Sequence, residues 1–282
     1  MLETRKLDLD QMTPNISASV QTDTGCVREA NEDSGRHIAP NDLQVRLSKG
    51  TLTIVADGMG GHASGEVASQ MAVELISEFY YASPAGTASE ALRGAIEAAN
   101  AAIYETSETE EKYFGMGTTL VALVLQENTA ISAHVGDSRL YRFRTGHLEM
   151  MTTDHSQVME MVKHGIISME EARDHDDKNV ILRAVGTQPE VEVEVSEPFT
   201  VESGDTFLLC SDGLSDMIHD DEIESIMRSA GDIHTAAEKL INAAKTSGGH
   251  DNITVGVVRV SAPNEHEASR SVRVTREVEA LV

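Results

Sequence analysis

The chain has 282 residues, 40% of them hydrophobic, enough for a sizeable core, and with no Trp and few aromatics that core must be mostly aliphatic. Its formal charge of −25 opposes binding to nucleic acid or to an anionic membrane, since both need a basic face. Cys26 and Cys210 are too few for a disulfide framework, no apolar run reaches the ~18–20 residues that cross a bilayer, and the N-terminus lacks an apolar signal core, which together point to the cytoplasm.

Residues 1–15 read as a polar lead-in, 16–260 as one domain and 261–282 as a charged tail, with no Pro/Gly/Ser linker between them. Short β-rich runs recur at Ile16–Asp23, Thr51–Ala56, Thr118–Leu125, Ala130–Gly136, Ser138–Phe143, Val191–Val195, Thr206–Cys210 and Asn252–Val260. Val67, Met71, Leu75 and Phe79 fall at helical spacing. Leu92, Ile96, Ala99 and Ile103 do so behind a capping box, Thr87 with Glu90. A third helical pattern, Ile233, Ala237, Leu240, Ile241 and Ala244, ends at Gly248–Gly249. Strands in clusters with helices between them suit antiparallel sheets with helices packed outside, not a parallel α/β sheet. The polar run from about 154 to 186 predicts a mostly helical surface flap.

The chemistry lies in the carboxylates. In TLTIVADGMGG, from Thr51, an apolar strand runs into Asp57 and then into glycines that let the backbone turn. Alone, this reads equally well as an ordinary Asp–Gly turn. The construction recurs, however, at Asp137 in AISAHVGDSR, at Asp212 in TFLLCSDG and at Asp251 in GGHDNITV. Four such carboxylates near a core are costly without counter-charge, and too few Lys or Arg lie nearby. Oxygen ligands without a His/Cys cluster favour Mg²⁺ or Mn²⁺ over zinc. GCVREANED, from Gly25, adds Arg28, whose planar fork matches phosphate oxygens, with Glu32 and Asp33 four and five residues on.

These segments stand in the order VREANED, VADGMGGHASGE, GMGTTL, HVGDSRLY, DHS, NVILRAVG, LCSDGLSD and HDNITV. The chain thereby resembles, from about Ile16 to Val260, the metal-dependent protein serine/threonine phosphatases of the protein phosphatase 2C (PP2C) family in their compact bacterial form. The resemblance implies an α+β fold, a four-layer α-β-β-α sandwich of two antiparallel sheets flanked by helices. It implies hydrolysis of phosphoserine and phosphothreonine in proteins by a metal-activated water, reversing serine/threonine kinase signalling. The phosphorylated partners would be substrates of such kinases.

Residue by residue, it makes Asp57 the bridge between two Mn²⁺ or Mg²⁺ ions and puts the Gly58 carbonyl on one of them. Asp212 and Asp251 would hold the other ion, and Asp137 with Asp212 matches a third, weaker site. Glu32 and Asp33 would support the centre, and Arg28 would grip the substrate phosphate. Animal members carry a His two residues after the bridging Asp, where this chain has Met59; the general acid is then His62, His155 or a coordinated water. Gly117, Thr118 and Thr119 are expected to supply small side chains where the sheets approach. The competing reading is a pseudophosphatase kept as a regulatory binding module, against which Arg28, Asp57, Asp212 and Asp251 are all present.

Overall fold

Strands that meet apolar partners on both faces lose the in–out alternation of a half-exposed sheet, and this accounts for the continuous apolar runs. The computed structural model describes residues 14–60 and 63–262, so His62 and most of the expected lead-in and tail lie outside the described residues. In β5 (Leu120–Gln126), Leu120, Ala122 and Val124 face one way and Val121, Leu123 and Leu125 the other, all buried. In β11 (Thr206–Cys210), Leu208 and Cys210 oppose Phe207 and Leu209 in the same manner.

Two antiparallel sheets result. One runs β1 (Asn15–Asp23), β12 (Ile253–Ser261), β11, β7 (Arg139–Arg144) and β8 (His147–Met150). The other runs β10 (Phe199–Thr200), β6 (Thr129–Val135), β5, β3 (Thr51–Met59) and β2 (Asp33–Ile38). Short β4 (Gly117–Thr118) joins β3, and β9 (Glu194–Val195) joins β6.

The sheets face each other through Val55, Val121, Leu123, Leu140, Phe207 and Val258. On the outer side of the second sheet lie α2 (Ala63–Ala82) and α3 (Ala88–Thr109), the latter through Leu92, Ile96, Ala99 and Ile103. Outside the first sheet lie α7 (Asp220–Ser229) and α8 (Ile233–Thr246). Helix, sheet, sheet, helix is the four-layer sandwich that the resemblance implies. No helix among the described residues is long and apolar enough to cross a membrane.

Local signals explain several helix ends. Thr87 Oγ1 accepts the Glu90 amide at 3.2 Å and the Glu90 carboxylate accepts the Thr87 amide at 3.2 Å, so the capping box closes at the start of α3. Beyond α8, Gly248 and Gly249 take φ of 133° and 54°, conformations that end the helix.

The helix expected from the spacing of Val67, Met71, Leu75 and Phe79 forms as α2, and other expectations are adjusted. On α2 the core face is Ala68, Ala72, Val73, Ile76 and Tyr80; Val67, Met71, Leu75 and Phe79 flank it, partly buried. Small residues toward the sheet let the helix lie close, and the larger ones cover the margin. Thr119 interrupts the expected strand 118–125, and of Val191–Val195 only the last two residues pair. Asn15 pairs with Ser261, so one residue at each end belongs to the sheet rather than to lead-in or tail.

The flap is less helical than expected: α4 (Gln157–Lys163) and α5 (Met169–Arg173) are short, and loops join them. It also exposes Ile166, Met169, Val180 and Leu182. Polar edge strand β2 and the short α1 (Leu43–Lys49) gave no apolar period to read, and α7 buries only Ile223 and Met227.

Leu123 is 1% exposed between the sheets. Leu123→Ala should lower unfolding free energy by about 2–5 kcal/mol in urea titration; a loss under about 1 kcal/mol would show that the sheets do not clasp there.

Candidate metal centre

β2 and β3 pair antiparallel with Asp33 directly opposite Asp57. Two like charges in that register repel, so the backbone ladder itself forces an electrostatic problem. Three more acids join from the ends of other strands. Asp137 sits in the turn between β6 and β7, where Gly136 has φ 104°. Asp212 opens the short α6 (Asp212–Ser215) just after β11. Asp251 arrives on the loop before β12.

The repulsion is visible in the acidities. Burial, then the charges of Asp33, Asp212 and Asp137, hold the Asp57 carboxyl well above the ordinary range. Burial, then Asp137, Asp216 and Asp251, do the same to Asp212. Burial raises Asp33 to about 6 against hydrogen bonds from Thr254 and Ser211, and burial with Asp154 raises Asp137 to about 7. Asp33 Oδ1 and Asp212 Oδ1 are buried with no hydrogen-bond partner.

Backbone and side-chain clamps hold these groups in place. Asn252 Oδ1 accepts the Glu32 amide at 2.8 Å, while its Nδ2 donates to the Thr24 and Ala30 carbonyls at 3.0 and 2.9 Å. One amide thus pins the Arg28–Asp33 loop beside Asp251. Arg28 Nη2 donates to Asp251 Oδ2 at 2.7 Å. Ser211 Oγ donates to Asp33 Oδ2 at 2.8 Å and accepts the Thr254 amide at 3.0 Å.

Thr118 Oγ1 donates to the Asp57 carbonyl at 2.8 Å and Thr119 Oγ1 accepts the Asp57 amide at 3.3 Å. These threonines therefore do more than save space, although Gly136 does pack tightly on Thr119. The Glu32 carbonyl accepts from the Gly58 amide at 3.1 Å and from Ser69 Oγ at 2.6 Å. A Cβ on Gly58 would lie 2.1 Å from the Gly65 carbonyl oxygen, so only glycine lets α2 start this close to β3.

Arg28, Glu32, Asp33, Asp57, Gly58, Asp137, Asp212 and Asp251 are therefore brought to one end of the paired sheets. Thr118 and Thr119, expected only as small side chains, are positioning groups, and so are Ser211 and Asn252, which sequence reasoning passed over. Their signal was a polar residue at the end of an apolar strand, a pattern too common to single out. Orphaned carboxylate oxygens and an all-oxygen donor set fit hard divalent cations.

A second cluster does not. His134, His155 and Glu194 lie together, with the two imidazoles stacked 4.5 Å apart. The Gly136 amide donates to His155 Nδ1 at 3.1 Å, which leaves the ring proton on Nε2, 3.2 Å from Glu194 Oε2. A metal would need the lone pair that this tautomer lacks. Both nitrogens of His155 are engaged, Nδ1 by the Gly136 amide and Nε2 by Glu194. Cys210, fully buried and pushed up to about 12 by that burial, is unreactive.

The architecture and donor set define a metal-binding α+β sandwich. A sequence profile described as Protein phosphatase 2C matches residues 31–246. The serine/threonine phosphatase Stp of Listeria welshimeri is 42% identical over 248 residues, 86% of this chain and 95% of that protein. The crystal structure of serine/threonine phosphatase PstP/Ppp from Mycobacterium tuberculosis superposes with a TM-score of 0.78 at 37% identity, over 87% of this chain and 99% of that one. A structure of the PstP catalytic domain in complex with two manganese ions has a TM-score of 0.76 at 37% identity, covering 88% of this chain and all of that one. The chain belongs to the protein phosphatase 2C family.

Metal removal has a signed consequence. Asp33 and Asp137 protonate near 6 and 7 when folded, against 3.8 for an ordinary aspartate. Between those values the native state binds more protons, so the stability these groups contribute is full below about pH 4 and is lost as pH rises through about 7. In EDTA, Tm should fall from about pH 5 to 8, and the increment restored by Mn²⁺ should grow over the same range. An increment independent of pH in scanning calorimetry would contradict the carboxylate assignment.

Proposed function

We propose that the protein hydrolyses phosphoserine and phosphothreonine esters in proteins with the help of divalent metal ions. Its partners are phosphoproteins, the products of serine/threonine kinases. The observation that carries this reading is the convergence of Asp33, Asp57, Asp137, Asp212 and Asp251 from separate strands and loops, with an orphaned oxygen on Asp33 and on Asp212, beside one guanidinium.

In this reading Asp57, the Gly58 carbonyl, Asp212 and Asp251 would hold two ions, and Asp137 with Asp212 would hold a third. Bound Mn²⁺ or Mg²⁺ supplies Lewis acidity and a lowered water pKa. The chain's own residues do the rest. Arg28 uses the donors not committed to Asp251 to hold phosphate oxygens and to take up charge in the transition state. Glu32 and Asp33 keep the negative field that retains the cations. Asn252 fixes Arg28 and Asp251 on one rigid frame, so phosphate and metal are presented together.

Family relatives that carry the names serine/threonine phosphatase support the phosphoester class. Asp57→Ala and Asp212→Ala should each lower Mn²⁺-dependent turnover of p-nitrophenyl phosphate by roughly 10²–10³ or more, and Arg28→Ala should reduce kcat/KM by roughly 10². Activity on phosphothreonine and phosphoserine peptides should vanish in EDTA and return with Mn²⁺. Near-normal turnover by both aspartate variants at saturating Mn²⁺ would sink the metal roles.

A further inference from the structure

A cavity of about 420 Å³ opens beside Asp137 and Asp212, between the flap and the segment from α6 to the start of α7. Its walls are apolar and adaptable: Met150, Val158, Met159, Met169 and Ala172. Most of the remaining lining is charged, and acids outnumber bases. Asp154 is neutralised by Arg139, which reaches it through Nε at 3.0 Å and Nη2 at 2.6 Å, and Asp216 by Lys178 at 2.7 Å. Arg173 turns its guanidinium onto the Ser215 and Ile218 carbonyls. Asp137 and Asp212 belong to the carboxylate centre, and Glu170, Asp220 and Asp221 remain. Asp220 accepts the neutral Tyr141 hydroxyl at 3.1 Å, and among the described residues no ion pair engages Glu170 or Asp221.

We propose that this cavity receives the side chain of a lysine or arginine that flanks the phosphoresidue of the protein substrate. The inference rests on the phosphoprotein reading above and deepens it. Two features of the space match such a side chain: a methionine-lined wall for the aliphatic stem, and surplus carboxylates for the cationic head. Placement beside Asp137 and Asp212 matters as much. A peptide whose phosphate lies at the metal centre must lead its neighbouring residues past this opening. The first turn of α7 favours acids for its own dipole, which accounts for Asp220 and Asp221. It accounts neither for Glu170, contributed by the flap, nor for the apolar walls between them.

The test walks a single arginine, glutamate or leucine through the positions around phosphothreonine in an otherwise neutral peptide. Kinetics are followed with Mn²⁺ on the full chain. Arginine should raise kcat/KM about five- to tenfold over alanine at one or two positions, and glutamate there should lower it, with both effects shrinking as salt is raised.

Combined Glu170→Gln and Asp221→Asn removes two charges and keeps an acceptor oxygen at each site, including the one that Asp221 offers to the Glu222 amide. In that variant the arginine preference should fall to twofold or less. Glu97→Lys, on the exposed face of α3, changes net charge by the same amount and should leave the preference intact.

Equal turnover of all peptides overturns this inference alone. So does a leucine effect as large as that of arginine, which makes the occupant apolar, or an equal loss of preference with Glu97→Lys, which makes the effect one of net charge. No turnover of any phosphopeptide, while p-nitrophenyl phosphate is still hydrolysed, overturns the phosphoprotein reading and this inference together.

Discussion

Repulsion among carboxylates that the fold forces together is the constraint on which the rest of the structure depends. Asp33 and Asp57 are locked opposite each other by the β2–β3 ladder, and Asp137 and Asp212 are aimed at them from neighbouring strand ends. Without cations these groups relieve the repulsion by holding protons, which is why their acidities are weakened. With cations the same geometry becomes a binding site. Stability and metal affinity are thus two outcomes of one arrangement, and family membership places it among proteins whose solved relatives include one with two manganese ions.

The four-layer sandwich serves this arrangement by rigidity. Both sheets are covered on both faces by aliphatic layers, so their strands cannot shift without opening a core. Carboxylates set at strand ends inherit that rigidity. The loops that carry Arg28 and Asp251 have no such cover, and hydrogen bonds from Asn252 replace it. Close backbone approach at Gly58 brings the start of α2 against the site.

The flap follows different physics. It contributes apolar and charged groups to the rim of the centre and joins the cores only through Val185 at its end, and it exposes more large hydrophobic side chains than any other segment described. Arg139 and Asp154 anchor its base to β7 through a buried bidentate pair. The carboxylate centre and the flap are thus separate parts, one held by the packed sheets and one resting largely outside them.

Much of this was legible in the residues. Continuous apolar runs ending in Asp–Gly pointed to buried strands that deliver acids, because hydrophobic period and glycine turns are local properties. The capping box of α3 and the glycine stop of α8 were legible for the same reason. Recognition of the motifs in their order supplied the sandwich and the roles to test. Tertiary structure alone decided that Asp33 faces Asp57, that Arg28 pairs with Asp251 while Asn252 pins the loop around it, and that His155 is turned toward Glu194. It also decided which face of α2 is buried and where the cavity beside the flap opens. Each of these depends on register or contact between residues far apart in the chain, and no local pattern encodes a distance between segments that meet only after folding.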